Sequence, residues 1–419
     1  MFETLRENKY FNEVVKFLQE KKLYQNSYLV GGSVRDLLLK RDLKDIDFTI
    51  KGDSIELAKE FSRKIGATFV LLDEVFSIGR VVKDNVTIDF AQLSGESIET
   101  DLSERDFTIN AMATDLSLKN LIDPFGGMDD LKNRLIKMVK EENLKADPLR
   151  ILRAYRFHAT VNFDIENNTR EALKKNAFLM KVTARERIKE ELWRILSVDN
   201  SARTVEMMVE DEIFKAFFKM PELLQIRTNL QALIIIEEAL RNPEKIFTHH
   251  KITFNPNIIA CLKFTGIFEH HALSFIKQIK PSKKEERFVE KLIEAGVSIK
   301  KVETLLDKIR FVKNYENILY PALIYGISTD PLGMARAWLY REIEHFYKKV
   351  YLKNKKKLPL IKGEDILSLG FEPSPLIGEI IERIETLVLA GKISKKEEAL
   401  EEIKRRYGAE QVVGMTEKG

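Results

Sequence analysis

Cysteine is almost absent from this chain of 419 residues. Cys261 is the only one, so an internal disulfide is impossible, and we expect the protein in a reducing compartment, the cytoplasm. The sequence also lacks any run of about 18 apolar residues, the length that a membrane-spanning helix needs. Its first residues mix acidic and basic side chains, which is not the pattern of a signal peptide. Together these absences favour a globular protein without a membrane anchor.

The net charge of +4 conceals an uneven distribution along the chain. Residues 1–140 hold 21 basic and 24 acidic side chains, a net charge of −3, and residues 141–419 carry +7. Residues 271–360 alone hold 19 basic and 10 acidic side chains, a net charge of +9. An acidic front suits a site for metal ions, and a basic rear suits contact with a polyanion such as nucleic acid. The alternative is a set of ordinary solvated helix faces.

Strand patterns occur only in the first third of the chain. Short segments rich in β-branched residues alternate there with two helical patterns. The strand-like segments are YLVGG, DIDFTI, ATFVLLD, GRVVKD and NVTIDFAQL. After about residue 140, helical patterns follow one another without strands. We therefore predict an α/β head, with a small mixed sheet and helices, followed by an all-α neck, body and tail. The predicted boundaries are 1–138, 139–205, 206–300 and 301–419.

Two aspartates stand two residues apart in the segment DIDFTI. Residues i and i+2 of a strand point to the same face, so Asp45 and Asp47 project side by side. Carboxylates this close repel each other unless a cation lies between them, and both are hard oxygen ligands that Mg²⁺ accepts. Asp89, in NVTIDF, would complete a site for two Mg²⁺ ions if its strand lies beside DIDFTI. The alternative to a metal site is that one aspartate caps a turn and the other is simply exposed to solvent.

A glycine pair precedes these aspartates. Gly31 and Gly32 end the segment YLVGG, Ser33 is a candidate N-cap of the next helix, and Arg35 lies just inside that helix. Glycine lets the backbone approach a ligand closely, and a helix N-terminus offers unpaired N–H groups to a phosphate. A phosphate cradle followed by a metal-binding strand is the order expected of a nucleoside triphosphate site.

The motif GGSVRDLLL…DIDF resembles the signature of the class II tRNA nucleotidyltransferase and bacterial poly(A) polymerase family. The resemblance continues in order through ERDFTINAMA (104–113), LIDPFGGMDDL (121–131), ADPLRILRAYRF (146–157) and ERIKEEL (186–192), and covers about the first 200 residues. A looser likeness extends through KGEDILSLGFEPSPLIGEIIERI near the C-terminus. The resemblance implies a template-independent enzyme that adds nucleotides to the 3′ end of immature tRNA. It would use two Mg²⁺ ions and release pyrophosphate.

By this resemblance, Asp45 and Asp47 hold the catalytic metal ions, and Asp89 is the third catalytic carboxylate. The triphosphate and ribose would be held by residues of the glycine turn and of ERDFTINAMA: Gly31, Gly32, Ser33, Arg35, Arg105, Asp106 and Asn110. An Asp and an Asn can accept from and donate to a 2′-hydroxyl, which favours ribonucleotides. The family usually reads Arg-Arg-Asp in this motif, and Glu104 replaces the first arginine here.

The motif ADPLRILRAYRF would select the base. By resemblance, Asp147 accepts from the N4 amino group of cytosine and Arg150 donates to N3 and O2, whereas uracil offers the opposite pattern. Arg153 and Arg156 recur on the same helix face and belong to the same candidate set. Asp147 also suits a helix N-cap on local grounds, because Pro148 follows it.

Three neighbouring features bear on this base-selecting motif. Ala146 stands where the family usually has a glutamate, which removes one group that could hold Asp147 in place. Thr183 and Glu186 fit a capping box. The resemblance suggests that the helix they begin braces the base-reading helix through Glu186 and Arg187.

One short segment bears on which nucleotide is added. Only 15 residues, 90–104, separate Asp89 from Arg105. Family members that add the terminal A carry a longer, flexible segment here, so the resemblance favours the CC-adding branch. That branch adds CMP from CTP twice and leaves the A to a separate A-adding enzyme. The alternatives are a full CCA-adding enzyme with a trimmed loop, which also uses ATP, and then an A-adding enzyme or a poly(A) polymerase.

The basic rear is where we expect the tRNA elbow to bind, through phosphate contacts that read no sequence. The candidate side chains are Lys353, Lys355, Lys356 and Lys357. The histidine pairs His249–His250 and His270–His271 suggest zinc only weakly, because cysteines and ligand spacing are lacking. A catalytically silent RNA-binding relative would leave the three aspartates without purpose. A DxD glycosyltransferase would leave ERDFTINAMA and ADPLR unexplained.

Overall fold

The structure is a computed structural model, which describes residues 3–74, 77–216, 218, 223–248 and 252–416. The chain divides into two compact units. The first comprises Met1–Ile195 and Met207–Met220, and the second comprises Leu196–Glu206 and Pro221–Gly419. The finer division into head, neck, body and tail stays a prediction. His249 and His250 lie outside the described residues.

The first unit contains a mixed sheet in the order β3-β4-β5-β2-β1-β6-β7. Its strands are β1 (Ser27–Val30), β2 (Asp45–Ile50), β3 (Thr68–Asp73), β4 (Ile78–Lys83), β5 (Val86–Gln92), β6 (Ala113–Asp115) and β7 (Leu121–Ile122). Strands β2 and β5 pair in parallel, and the other neighbours pair antiparallel. All five strand segments predicted from the sequence are strands, and the predicted fold class is confirmed.

The expectation that strands stop near residue 140 is wrong at one point. A short parallel pair forms between β8 (Leu135–Ile136) and β9 (Asp164–Ile165). Two residues are too few to produce an alternating apolar pattern, so the sequence carries no visible sign of this strand.

The helices of the first unit follow the helical patterns closely. They are α1 (Glu3–Arg6), α2 (Lys9–Glu20), α3 (Gly31–Leu38), α4 (Ser54–Ile65), α5 (Ile98–Ser103), α6 (Gly127–Lys132), α7 (Glu141–Ala146), α8 (Leu149–Val161), α9 (Asn167–Asn176) and α10 (Arg185–Leu196). Short 3₁₀ turns lie at Tyr24–Asn26, Thr108–Asn110, Ala177–Val182 and Ile213–Ala216. The helix α11 (Ser201–Glu210) contributes residues to each unit.

Alternation along β2 separates an apolar face from a charged one. The fully buried residues are Ile46, Phe48 and Ile50. On that face α2 and α4 cover the sheet: Phe11 stacks on Phe48 with 6.0 Å between ring centroids, and Phe61 tilts against Phe90 at 5.6 Å. Burial of one such ring contributes about 1.5–3 kcal/mol, so this face is strongly fixed. The opposite face must therefore carry Asp45 and Asp47, as the sequence predicted.

The second unit is helical in its described part. Its helices are α12 (Leu223–Arg241), α13 (Pro256–Phe268), α14 (Ala272–Gln278), α15 (Lys283–Ile299), α16 (Leu305–Tyr315), α17 (Leu319–Thr329), α18 (Ala337–Phe346), α19 (Leu352–Lys355), α20 (Gly363–Leu367), α21 (Pro375–Leu389) and α22 (Lys396–Thr416). Further short turns are Pro243–Lys245, Glu269–His271, Glu316–Ile318 and a π-helical turn at Tyr347–Tyr351. None of the described helices combines the length and the apolar character that crossing a membrane requires.

A buried ion pair lies within the core of the second unit. Lys263 is fully buried, and its ammonium donates to Glu237 at 2.8 Å, to the Ser201 hydroxyl at 3.1 Å and to the Val198 carbonyl at 2.5 Å. All three ammonium hydrogens are thereby used, which is what a buried charge requires. Farther along, residues 361–403 build a hydrophobic cluster of their own.

Candidate active site

A cleft of about 1280 Å³ opens on the charged face of the sheet in the first unit. Every residue predicted for the site lines it: Gly31, Gly32, Ser33, Arg35, Asp45, Asp47, Asp89, Arg105, Asp106, Asn110, Asp147, Arg150, Arg153 and Arg156. These residues come from positions 31 to 156, and the fold brings them to one concavity. Their individual roles stay predictions.

The three aspartates lie on neighbouring strands. Asp47 of β2 and Asp89 of β5 are direct partners in the parallel ladder, and Asp45 precedes Asp47 by two residues on the same face. The expectation that the strand of Asp89 lies beside DIDFTI is therefore confirmed. Asp89 does not point a free carboxylate at the pair, however, because Arg80 of β4 donates to both of its oxygens at 2.7 Å.

Electrostatics around Asp47 suit a cation. Burial raises the pKa of the Asp47 carboxyl to about 6, and the nearby carboxylates of Asp89 and Asp45 add to the shift. A divalent ion would relieve this repulsion, so Asp45 and Asp47 fit Mg²⁺ as oxygen donors. Among the described residues, no group of three His, Cys, Asp or Glu side chains is arranged as a metal site.

The glycine pair permits close approach to two charged groups. Gly31 has a φ of +63°, which turns the chain from β1 directly into α3. A Cβ added there would lie 3.3 Å from an Arg105 guanidinium nitrogen, and one added at Gly32 would lie 3.4 Å from Asp47 Oδ2. Side chains at these two positions would crowd the Arg105 guanidinium and the Asp47 carboxylate.

Ser33 is not the N-cap of α3, so that prediction is wrong. The helix begins at Gly31, with Val30 as its N-cap, so Ser33 lies within the first turn. There its buried hydroxyl accepts from the Asp47 amide at 2.7 Å and donates to the Asp45 carbonyl at 3.2 Å. Ser33 thus fixes the backbone between Asp45 and Asp47.

Arg35 and Asn110 are joined across the cleft. Arg35 donates to Asn110 Oδ1 at 2.5 Å and to both oxygens of Asp36. The Asn110 amide in turn donates to Asp106 at 3.0 Å. The two motifs that resemblance assigns to the triphosphate are therefore linked by hydrogen bonds.

Asp106 is buried and is bound from several directions. It accepts from Arg153 at 2.6 and 2.8 Å, from Asn110 and from the Phe107 amide. Burial alone would raise the pKa of Asp106, but the charge of Arg153 and these hydrogen bonds outweigh it and hold the pKa well below its usual range. The carboxylate is consequently ionised at neutral pH.

The arginines of α8 line one cleft but have different partners. Arg150 donates to the Glu104 carbonyl at 2.6 Å, Arg153 binds Asp106, and Arg156 donates to the buried Glu191 at 2.7 Å. Three guanidinium groups, those of Arg35, Arg153 and Arg156, lie 4.1–5.7 Å from the centre of the Phe157 ring. Each group is thus held before any ligand binds.

Asp147 is held by two contacts. One oxygen accepts from the Leu149 amide at 3.2 Å, a cap-like bond at the start of α8, and the other accepts from Arg187 at 3.1 Å. Bracing was predicted through Glu186 and Arg187, and the contact of Arg187 with Asp147 bears out the Arg187 part of it. This contact gives Asp147 a partner despite Ala146. The predicted capping box is wrong, because the Thr183 hydroxyl is buried without a hydrogen-bond partner.

The 93–104 segment is short and firmly attached. The Ser94 amide donates to Asp101 at 3.1 Å, and the Ser94 hydroxyl donates to Glu104 at 2.6 Å. Leu102 is fully buried. Asn143 of α7 donates to the carbonyls of Ser103 and Arg105 at 2.8 and 2.7 Å. With the bond from Arg150 to Glu104, these contacts tie the segment to the base-selecting part of the cleft.

Several groups of the cleft were missed in the sequence. Arg80, Asp101 and Glu191 each pair with a predicted site residue. A sequence signal for Arg80 was present: the dipeptide Asp84-Asn85 lies between two strand patterns, and both residue types suit a two-residue hairpin turn. In the structure both residues have positive φ, and the turn pairs Arg80 with Asp89. Asp101 and Glu191 carry no such signal.

Family models and curated relatives match most of this chain. The family described as "Poly A polymerase head domain" matches residues 27–97 and 80–137. The family described as "Probable RNA and SrmB- binding site of polymerase A" matches residues 162–226, and tRNA nucleotidyltransferase domain 2 matches residues 256–403. A CC-adding tRNA nucleotidyltransferase of Synechocystis is 31% identical over 387 residues, covering 89% of this chain and 91% of the relative.

The chain belongs to the class II tRNA nucleotidyltransferase family. It is an enzyme, a nucleotidyltransferase of tRNA processing, in a family whose members generally bind RNA and depend on metal ions. A CC-adding tRNA nucleotidyltransferase of Geobacter sulfurreducens is 39% identical over 199 residues, 47% of this chain and 46% of that protein. A CCA-adding enzyme of Streptococcus agalactiae is 27% identical over 417 residues, 95% of this chain and 97% of that enzyme.

Solved structures of the class II family share the fold. The Thermotoga maritima CCA-adding enzyme complexed with tRNA matches with a TM-score of 0.67 and 25% identity, covering 94% of both chains. Relatives of both branches therefore match this nucleotidyltransferase over most of its length.

Proposed function

We propose that this nucleotidyltransferase is a CC-adding enzyme, which transfers two CMP residues from CTP to the 3′ end of immature tRNA. The short, attached 93–104 segment carries the proposal. By the resemblance described above, A-adding members carry a longer, flexible segment at this place, which helps to re-size the pocket after the second C. Here Ser94, Asp101 and Glu104 close the segment on itself, and Arg150 and Asn143 hold its end. Because the segment is held in this way, the pocket beside it keeps one shape, which favours one base.

The names of the relatives support the same branch without deciding it. The relatives from Synechocystis and Geobacter sulfurreducens are CC-adding, whereas those from Streptococcus agalactiae and Thermotoga maritima are CCA-adding. The second candidate is therefore a full CCA-adding enzyme that also uses ATP. If the CC-adding proposal is correct, a separate A-adding enzyme must complete the tRNA.

Base selection in this proposal depends on Asp147 and Arg150. An acceptor at Asp147 and a donor at Arg150 complement the N4 amino group and the N3 and O2 atoms of cytosine. Arg187 holds Asp147 and the Glu104 carbonyl holds Arg150, so both groups are oriented before CTP enters. Preorganised polar groups of this kind discriminate strongly, because a wrong base leaves them unpaired.

Triphosphate binding falls to the basic side of the cleft. Arg105, held by Asp101 and Thr49, and Arg35, held by Asn110 and Asp36, present guanidinium groups suited to phosphate oxygens. Asp45 and Asp47 would hold Mg²⁺ ions. When bound, two such ions lower the pKa of the attacking 3′-hydroxyl and neutralise charge on the leaving pyrophosphate.

The direct test supplies a tRNA that lacks its 3′ CCA with Mg²⁺ and each labelled nucleotide in turn. We expect two CMP residues and no AMP. Incorporation of CMP followed by AMP would replace the proposal with the CCA-adding alternative, and a long A tract would indicate a poly(A) polymerase. Replacement of Asp45 or Asp47 by alanine should abolish transfer and leave tRNA binding nearly intact. An equal loss of binding would argue against the catalytic role.

A further inference from the structure

Arg80 is the one cleft arginine, among those whose contacts are described above, that pairs with a candidate catalytic carboxylate. The others bind groups outside the aspartate trio: Arg105 to Asp101, Arg153 to Asp106, Arg156 to Glu191 and Arg187 to Asp147. Arg80 instead donates through two nitrogens to both oxygens of Asp89, each at 2.7 Å. Such a fork fixes the plane of a carboxylate as well as its position.

The sheet itself enforces this arrangement. Arg80 of β4 lies directly opposite Asp89 of β5, and Asp89 lies directly opposite Asp47 of β2. The three side chains therefore form a row across adjacent strands on the cleft face. Two residues along the ladder and on the same face, Thr87 of β5 donates to Asp45. Each of the three aspartates thus has a hydrogen bond that fixes it. Asp89 is bound by Arg80 of β4, Asp45 by Thr87 of β5, and the Asp47 amide by Ser33 of α3.

The hairpin turn sets the register of that row. Asp84 and Asn85 occupy the two-residue turn with φ values of +50° and +64°, the mirror-image geometry that matches strand twist. From Lys83 opposite Val86, the pairing runs to Arg80 opposite Asp89 without a bulge. A shift by one residue would turn the guanidinium to the apolar face of the sheet.

We propose that Arg80 is a positioning residue for nucleotide transfer, acting through Asp89. The proposal rests on the catalytic role proposed for Asp45, Asp47 and Asp89 but not on the choice between CC and CCA addition. Arg80 holds the Asp89 carboxylate beside the Asp45–Asp47 pair and donates to both of its oxygens. A metal ion held by Asp45 and Asp47 would compete with Arg80 for Asp89.

The first test compares the variants Arg80→Lys and Arg80→Gln in CMP incorporation. Lysine keeps the charge but cannot form two parallel bonds. We expect both variants to lower kcat by about 10- to 100-fold, because small misplacements of reacting groups cost this much. The KM for CTP should stay within about twofold, since Arg80 binds Asp89 and not the nucleotide. A wild-type kcat in Arg80→Lys, or a change confined to KM, would overturn the proposal.

The second test is a double-mutant cycle with Asp89→Asn, read out as Mn²⁺ binding by electron paramagnetic resonance without nucleotide. If Arg80 acts through Asp89, then Arg80→Gln tightens Mn²⁺ binding clearly in the wild-type background and much less beside Asp89→Asn. Equal changes in the two backgrounds would indicate only a general charge effect and would refute the role. This readout needs no activity. Absence of CMP incorporation by the wild type would count against the proposed function alone.

A matched control comes from the same unit. Arg63 pairs with Glu56 at 3.0 Å on the surface of α4, outside the cleft. Arg63→Gln removes an arginine–carboxylate pair of similar length, so it should change neither kcat nor Mn²⁺ affinity. Thermal unfolding of every variant identifies any that are destabilised, and the Mn²⁺ cycle is then read at a temperature where all are folded.

Discussion

Asp106 illustrates how much a single buried carboxylate can organise. It joins the Thr108–Asn110 turn to α8 through Asn110 and Arg153, so residues of two distant motifs share one charge. Breaking a buried pair by neutralising one partner typically costs about 3–5 kcal/mol, because the other charge is left buried. The residue that resemblance assigns to the ribose therefore has a structural task as well.

We expect Asp106→Asn to lower the free energy of unfolding by about 3 kcal/mol at pH 7. The pKa of Asp106 is lower in the folded state, so its stabilisation is complete above its unfolded value of about 4 and is lost as pH falls below it. The difference between variant and wild type should therefore shrink progressively between about pH 4 and pH 2. Urea unfolding across this pH series measures it, and a difference independent of pH would contradict the assignment.

Arg150 tests the origin of base selection at the same scale. Its guanidinium is oriented by the Glu104 carbonyl and faces the cleft with Asp147. Removal of one good base contact costs about 1–3 kcal/mol of discrimination, so Arg150→Ala should reduce the preference for CTP over UTP by about tenfold or more. Competition between labelled CTP and UTP measures the ratio. Unchanged selectivity would remove Arg150 from the base-reading pair.

Elements were predicted well wherever periodicity and local chemistry agreed. Alternation in DIDFTI correctly placed Asp45 and Asp47 on one face, and the helical patterns correctly predicted α4, α8 and α10. The start of α3 was missed because Gly31 turns without a loop, and β9 was missed because it is only two residues long. The carboxylate partners of the arginines depend on contacts far apart in sequence, which one sequence does not reveal.

The 93–104 segment yields an element-scale prediction. Asp101 accepts from the Ser94 amide and from Arg105, so it both closes the segment and aims a candidate triphosphate ligand. Asp101→Asn should raise the KM for CTP by about tenfold, the cost of one weakened phosphate contact, with a smaller effect on kcat. Steady-state kinetics with CTP measures both constants.

Hydrogen exchange separates this effect from general unfolding. Amides of 94–104 should exchange faster in Asp101→Asn, while those of β2 and β5 stay protected. A loss of kcat with an unchanged KM would show that Arg105 is not held for the triphosphate. Faster exchange throughout the sheet would show instead that the substitution acts on the fold.

Across the whole molecule, charge is divided between the two units. The aspartate trio and the cleft belong to the first unit, whereas residues 271–360, with their net charge of +9, belong entirely to the second. Chemistry and the expected binding of the tRNA elbow are thus assigned to different parts of the chain. Variants in the cleft of the first unit should therefore change nucleotide transfer and leave tRNA binding intact, and variants in the basic stretch of the second unit should do the reverse.

The lysines after α18 allow a direct test of tRNA binding by the second unit. Lys355 is already paired with Glu316 at 2.6 Å, whereas Lys353 and Lys356 are exposed and Lys357 is half-buried. Replacement of Lys353, Lys356 and Lys357 by alanine should weaken tRNA binding. If all three contact phosphates, the slope of log Kd against log salt concentration should fall by about 2, because each contact contributes about 0.7–0.9. Filter binding over a salt series measures the slope.

The matched control for this triple variant is a second one, in which Lys16, Lys51 and Lys132 of the first unit become alanine. These side chains are exposed and lie outside the cleft. Replacing them by alanine therefore removes the same charge as the first triple variant without removing a predicted tRNA contact. An equal change of slope in both variants would mean that net charge, and not the basic stretch of the second unit, governs tRNA binding. Because neither set touches CTP, the KM for CTP at saturating tRNA should be unchanged in both.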